Sequence, residues 1–166
     1  ANKAIPRSFE VFRGFAEVEL IRKNPAGAIS YAEKSLKLYN NDVETYIIVS
    51  KANLLLKKYS ESFAAAARAI EIDVNNRQAQ IVYAKSLAGL QGASVGISYI
   101  ARLVKTYPFV MDFRLAQATI YFEDEQFSEA ITVYKDIIEI EKKLKLAHLG
   151  LGKALMFNND LKSALD

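Results

Sequence analysis

The residues best suited to chemistry are few and poorly assembled for it. His148 is the only histidine, so neither a His-based dyad nor a multi-histidine metal site can form within this chain. With no cysteine there is no thiolate ligand and no disulfide, and that absence leaves the compartment open. Glu123, Asp124 and Glu125 supply three consecutive carboxylates. A carboxylate pair can do acid–base work when a cleft desolvates it, but a run of this kind usually marks a solvated turn. Lys142, Lys143 and Lys145 could meet an acidic surface, although the same reading as a solvated turn applies to them. The seven glycines include no phosphate-cradling loop of the form G-x-x-x-x-G-K-[ST]. No metal, no cofactor and no catalytic residue is therefore expected, and the chain is not expected to be an enzyme.

Something must nevertheless organise a chain that is 51% hydrophobic and 25% charged, values that suit an ordered, core-forming domain. Its 22 basic and 19 acidic residues are mixed along the sequence, so the net charge of +3 forms no basic stripe. Nucleic-acid binding needs such a stripe and is not expected. Nine Tyr and nine Phe could stack on bases. Phe15, Phe63, Tyr83, Tyr121, Phe127 and Tyr134 fall instead where a helical core is expected. No stretch reaches the roughly 18 apolar residues of a membrane helix. The start, ANKAIPRSFE, has no signal-like apolar segment and no Met, so a piece of a longer protein is expected.

The organisation is a repeat. YSESFAAAARAIEID begins at Tyr59, and a similar segment, FSEAITVYKDIIEIE, begins at Phe127. Half the spacing between those starts divides the chain into windows 9–42, 43–76, 77–110, 111–144 and a partial 145–166. The eighth position then reads Ala16, Ser50, Ala84, Ala118 and Gly152, and the twentieth Ala28, Ser62, Gly96, Ala130 and Ala164. All are small. The twenty-first reads Ile29, Phe63, Ile97, Ile131 and Leu165, and the twenty-eighth Leu36, Ile70, Val104 and Ile138. All are large and apolar. Small residues allow helix backbones to approach closely, and large ones fill the space around the contact. Phe127, Ile131, Tyr134, Ile137 and Ile138 share one helical face. Asn24-Pro25 is a helix start, while Gln91-Gly92 and Asn158-Asn159 suit helix C-termini.

In this register the chain resembles the tetratricopeptide repeat family, whose helix–turn–helix unit has small residues at positions 8, 20 and 27. The matching residues include Ala16, Ala84 and Ala118; Tyr59 and Phe127; Ala28, Ala130 and Ala164; Tyr121; Tyr134; Ala69; and Pro108. Leu103 and Ile137 depart from the small position 27, and Asn40, Val74 and Lys142 stand where the family has Pro. The resemblance implies an all-α, right-handed α-solenoid of tandem 34-residue helix-turn-helix repeats. It would form a single domain over 1–166, with four full repeats and a fifth cut short. Pentatricopeptide units, which read RNA, run slightly longer than this period and fit less well.

The resemblance also implies a function: non-catalytic binding of a peptide or helix of another protein in a concave groove lined by the first helix of each repeat. The groove positions give Arg13, Ile47, Ile81, Leu115 and Leu149 at position 5. They give Glu17, Lys51, Lys85, Thr119 and Lys153 at position 9, and Leu20, Leu54, Ala88, Phe122 and Met156 at position 12. Such a groove suits a partner segment with apolar anchors and acidic residues. The family's chaperone-tail carboxylate clamp is not expected, because Arg13, Glu17, Ile48, Gln78 and Val82 occupy its positions. The alternatives are a self-assembly element, a homo-oligomer through a C-terminal edge of Leu151, Leu155, Leu161 and Leu165, or the regulatory appendage of an enzyme.

Overall fold

The computed structural model describes residues 8–158, and within them the backbone is helical and turn, with no strand. The helices are α1 (Ser8–Ile21), α2 (Pro25–Leu38), α3 (Val43–Leu55), α4 (Tyr59–Ile72), α5 (Arg77–Gln91), α6 (Ala93–Thr106), α7 (Met111–Glu123), α8 (Phe127–Ile140) and α9 (Lys145–Phe157). Asn159, Leu161, Ala164 and Leu165, singled out above, lie outside the described residues. The chain divides into two compact units, Ala1–Leu90 and Gln91–Asp166, at the α5–α6 link inside the third sequence window.

In unit 1, α1 packs on α2, α2 on α3 and α3 on α4, and α1 also meets α3. Its first core gathers Ala16, Ala28, Ala32, Ile48 and Ala52, and its second Ile47, Ala66, Ala69, Ala79 and Val82, which brings α5 against α3 and α4. In unit 2, α7 packs on α6, α8 and α9, and α8 also packs on α9. The core there joins Ala118, Ala130, Ile131, Tyr134, Ile137, Ala147, Ala154 and Leu155. Leu155, expected on an open edge, is thus part of this core at 7% exposure, with Leu151 packed beside it.

The starts of α2, α3 and α5 are capped by short polar side chains. Asn24 accepts the Gly27 N–H at 3.1 Å and Pro25 opens α2, as the sequence indicates. Asp42 caps α3 through the Thr45 N–H at 3.2 Å, and Asn76 accepts the Ala79 N–H at 3.0 Å at the start of α5. Asn158 closes α9.

Helix ends follow a rule the residue types do not announce. Lys23, Lys57 and Glu125 have φ of 58°, 56° and 60°. Lys23 and Lys57 stand one repeat period apart, and Glu125 follows after two more periods. At each, the N–H of the positive-φ residue bonds three residues back, to Leu20, Leu54 and Phe122 at 3.0–3.1 Å. The next N–H bonds five back, to Glu19, Asn53 and Tyr121 at 2.9 Å. This is the Schellman closure, which satisfies the last free carbonyls of a helix and commonly uses Gly. A side chain in the left-handed region costs roughly 1–2 kcal/mol, partly offset by the larger entropy glycine would lose. Lys57→Gly and Glu125→Gly are therefore expected to stabilise the fold by up to about 1 kcal/mol, read as a raised urea midpoint; lower midpoints in both variants would contradict it. In the third window the helix runs on to Gln91, and Gly92 at φ 103° is the sole link to α6.

Most of the small positions behave as close contacts require, but Gly152 does not: it is half-buried, and an added Cβ there would meet nothing within 4 Å. Ala16, Ala28, Ala84, Ala118 and Ala130 are all 0% exposed, and Gly96 is buried. Where the pair is Ser50 and Ser62, their hydroxyls stand 2.9 Å apart, and Ser62 also donates to the Ser50 carbonyl at 3.0 Å. Ser86 Oγ lies 2.6 Å from Ser62 Oγ, extending a buried polar seam across α3, α4 and α5. A second seam joins α1, α2 and α3. Arg13 Nη1 donates to Asp42 Oδ1 at 2.9 Å, Thr45 Oγ1 donates to Asp42 Oδ2, and Ser35 Oγ donates to the Phe9 carbonyl at 2.8 Å. Phe15 departs from its expected core role. It is 49% exposed beside Tyr31, and it shares an outer face of α1 with Val11 and Val18.

Candidate protein-docking faces

The first helices of the two units carry the candidate groove residues, and the structure sorts them by surroundings. In unit 1 a cleft of about 390 Å3 is lined by Glu17, Leu20 and Ile21 of α1, Glu44, Ile47, Ile48 and Lys51 of α3, and Asn76 and Gln78 at the start of α5. Ile47 and Ile48, 6% and 5% exposed, form an apolar floor, while Glu17, Glu44 and Gln78 stand at its rim. Lys51 is half-buried, and its Nζ donates to Gln78 Oε1 at 3.1 Å. Burial, and then the Lys85 ammonium on α5, hold Lys51 below the ordinary lysine range, against the opposite pull of Glu44 and Glu17. The half-buried Lys51 ammonium is therefore acted on by charges of both signs.

Of the residues chosen from sequence, Glu17, Ile47, Lys51 and Leu20 meet in this cleft, with Lys85 close enough to Lys51 to act on it. Arg13 is engaged elsewhere, in the Asp42 ion pair and 4.0 Å from Glu17. Ile81 is buried on α5, and Leu54 is half-buried on α3. Sequence reasoning passed over Glu44, Ile21 and Asn76, and it weighed Ile48 and Gln78 only as positions of a carboxylate clamp that was not expected. Glu44 and Gln78 were findable, since both fall at position 2 of their windows, a groove position in the resembled family.

In unit 2, Leu115, Thr119 and Phe122 lie half-buried on α7. The Thr119 hydroxyl donates to the Leu115 carbonyl at 2.7 Å and bonds the Tyr134 side chain, so its one proton is committed inside the unit. An added Cβ at Gly150 would fall on that same Tyr134 ring, which explains why α9 can pass so close to α8. Phe122 packs against Phe127 and Phe157 with ring centroids 5.5 and 5.6 Å apart. On α9, Leu149 and Met156 are 56% and 57% exposed, and Lys153 between them is also exposed. These three form an open apolar–basic stripe.

His148 Nε2 lies 2.7 Å from the Lys142 carbonyl on the surface. Glu123, Asp124 and Glu125 are exposed at the α7–α8 turn. Among the described residues no group of three His, Cys, Asp or Glu side chains is placed to hold a metal ion. No helix among them is long and apolar enough to cross a membrane.

No sequence-family model and no curated protein matches the chain. Solved structures do. TTC0263, a thermophilic TPR protein of Thermus thermophilus, is similar with a TM-score of 0.75 at 14% identity, over 91% of this chain and 83% of that one. Residues 41 to the end of MamA from Desulfovibrio magneticus RS-1 give a TM-score of 0.64 at 18% identity, covering 98% and 92%. YrrB, described as a TPR protein with an unusual peptide-binding site, gives 0.58 at 16% identity, covering 99% and 89%. At such identities the likeness concerns the fold, and the chain has the helical-repeat fold of tetratricopeptide proteins.

Proposed function

We propose that this protein is a non-catalytic interaction scaffold whose first-helix faces dock a segment of a partner protein. The observation that carries this reading is the unit 1 cleft, where an apolar floor of Ile47 and Ile48 lies within a charged rim. Ligand sites generally combine concave apolar surface with a few convergent polar groups. The exposed Leu149, Lys153 and Met156 stripe offers unit 2 a comparable surface. The peptide-binding site ascribed to YrrB, a protein of the same fold, supports the assignment. Within this reading the windows 9–42, 43–76, 77–110 and 111–144 are four repeats and 145–166 the start of a fifth. The recurrence of positive φ at Lys23, Lys57 and Glu125 supports that register.

The test is a peptide-display selection against the full chain, followed by fluorescence anisotropy with the selected peptides. Lys51→Glu/Lys85→Glu is expected to weaken peptides docked on unit 1, and Leu149→Asp/Met156→Asp those docked on unit 2. A drop on the order of tenfold with unchanged helicity fits the loss of a desolvated charged or apolar anchor. Affinities unmoved by both variants would remove the first-helix faces from the function. Self-association is the second reading, favoured by the apolar exposure of Leu146, Leu149, Met156 and Phe157 on α9.

A further inference from the structure

The charge pattern of the unit 1 cleft is more selective than a row of lysines. Along α3, Glu44 and Lys51 both line it, two helical turns apart and so separated by about 10 Å of helix rise. Glu17, 4.0 Å from Arg13, adds a second carboxylate to the lining from α1, and Lys85 acts on Lys51 from α5. The Lys51 ammonium is half-buried and donates to an amide oxygen, which satisfies a hydrogen bond but returns no charge. A carboxylate arriving there would relieve the repulsion between Lys51 and Lys85. A cation would be welcomed at the other end of the α3 face, by Glu44. A ligand of one sign gains at one end and is repelled at the other, so a uniformly acidic segment is a poor match.

We infer that the unit 1 cleft selects an extended partner segment in which a basic and an acidic residue flank two apolar ones. Three residues of extended chain span about 10 Å, which matches the separation of the charged ends. The apolar pair then lies over Leu20, Ile47 and Ile48. This inference rests on the docking role proposed for unit 1, and it replaces the expectation of an acidic partner by one of mixed charge.

Three peptides test it: acetyl-Lys-Leu-Leu-Asp-amide, acetyl-Asp-Leu-Leu-Asp-amide and acetyl-Lys-Leu-Leu-Lys-amide. Each is titrated at low salt into the full isotopically labelled chain and followed by amide shifts of α1, α3 and α5. The mixed peptide is expected to bind on the order of threefold tighter than either single-sign peptide, the scale of one exposed ion pair. Glu17→Lys/Glu44→Lys should then make the diacidic peptide the best ligand. If a single-sign peptide binds the native chain as tightly as the mixed one, the charge rule is wrong while the docking face stands. If no peptide moves amides around the cleft, both fall.

Discussion

Replacing Asp42 by Ala is expected to lower stability by about 2–4 kcal/mol, the sum of a lost helix cap and of buried donors left without an acceptor. One Asp42 oxygen accepts from Arg13 Nη1, and the other takes both the backbone and the hydroxyl donors of Thr45. Asp42 and Thr45 are 9% and 0% exposed, so water cannot readily replace the missing acceptor. Asp42→Asn keeps an acceptor for the cap and loses the charge, and it should cost distinctly less. Urea midpoints of the three proteins decide the matter. An Asp42→Ala chain as stable as the native one would mean that the seam joining α1 and α3 contributes nothing.

The second large effect is expected at Ala118 and Ala130. Both are 0% exposed in the unit 2 core, on helices that pack directly on each other. Leu at either site adds three carbons where no space exists, and overpacking of this kind costs about 1–3 kcal/mol. Glu139→Leu, on the exposed side of α8, serves as the control and should change stability by about 0.5 kcal/mol or less. Thermal midpoints falling for the two alanine variants but not the control is the expected pattern. Equal midpoints in all three would show that the small positions do not mark helix contacts.

These alanines show what the sequence could reveal. A close contact tolerates only small side chains, so the contact leaves its mark in residue type, and the period follows. The Schellman turns left no such mark, because Lys23, Lys57 and Glu125 hold a conformation that residue type would have assigned to Gly. Phe15 was misplaced for a related reason. Periodicity identifies an apolar face of α1 but says nothing of whether another element covers it, and 49% of Phe15 remains exposed. The candidate site was legible in type and not in orientation. Position 9 brought out Lys51, yet the turn of Arg13 toward Asp42 and of Thr119 toward Tyr134 depends on partners that only the packing of separate helices brings near. Position 2 pointed to Glu44 and Gln78 as groove residues, but that they share one cleft with α1 follows only from the packing of α3 and α5.

The clusters of buried residues also set an order in time. Among the described residues, one such cluster runs from Ala16 to Ala52, another from Ile47 to Val82, and one in unit 2 from Ala118 to Leu155. Each therefore closes over short stretches of chain, which favours fast folding because little loop entropy is lost before contacts form. On the ribosome, where chains grow at about 5–20 residues per second, the first cluster can close within seconds of Ala52 leaving the exit tunnel. A nascent chain with clusters of this kind can therefore bury its aliphatic surface in instalments.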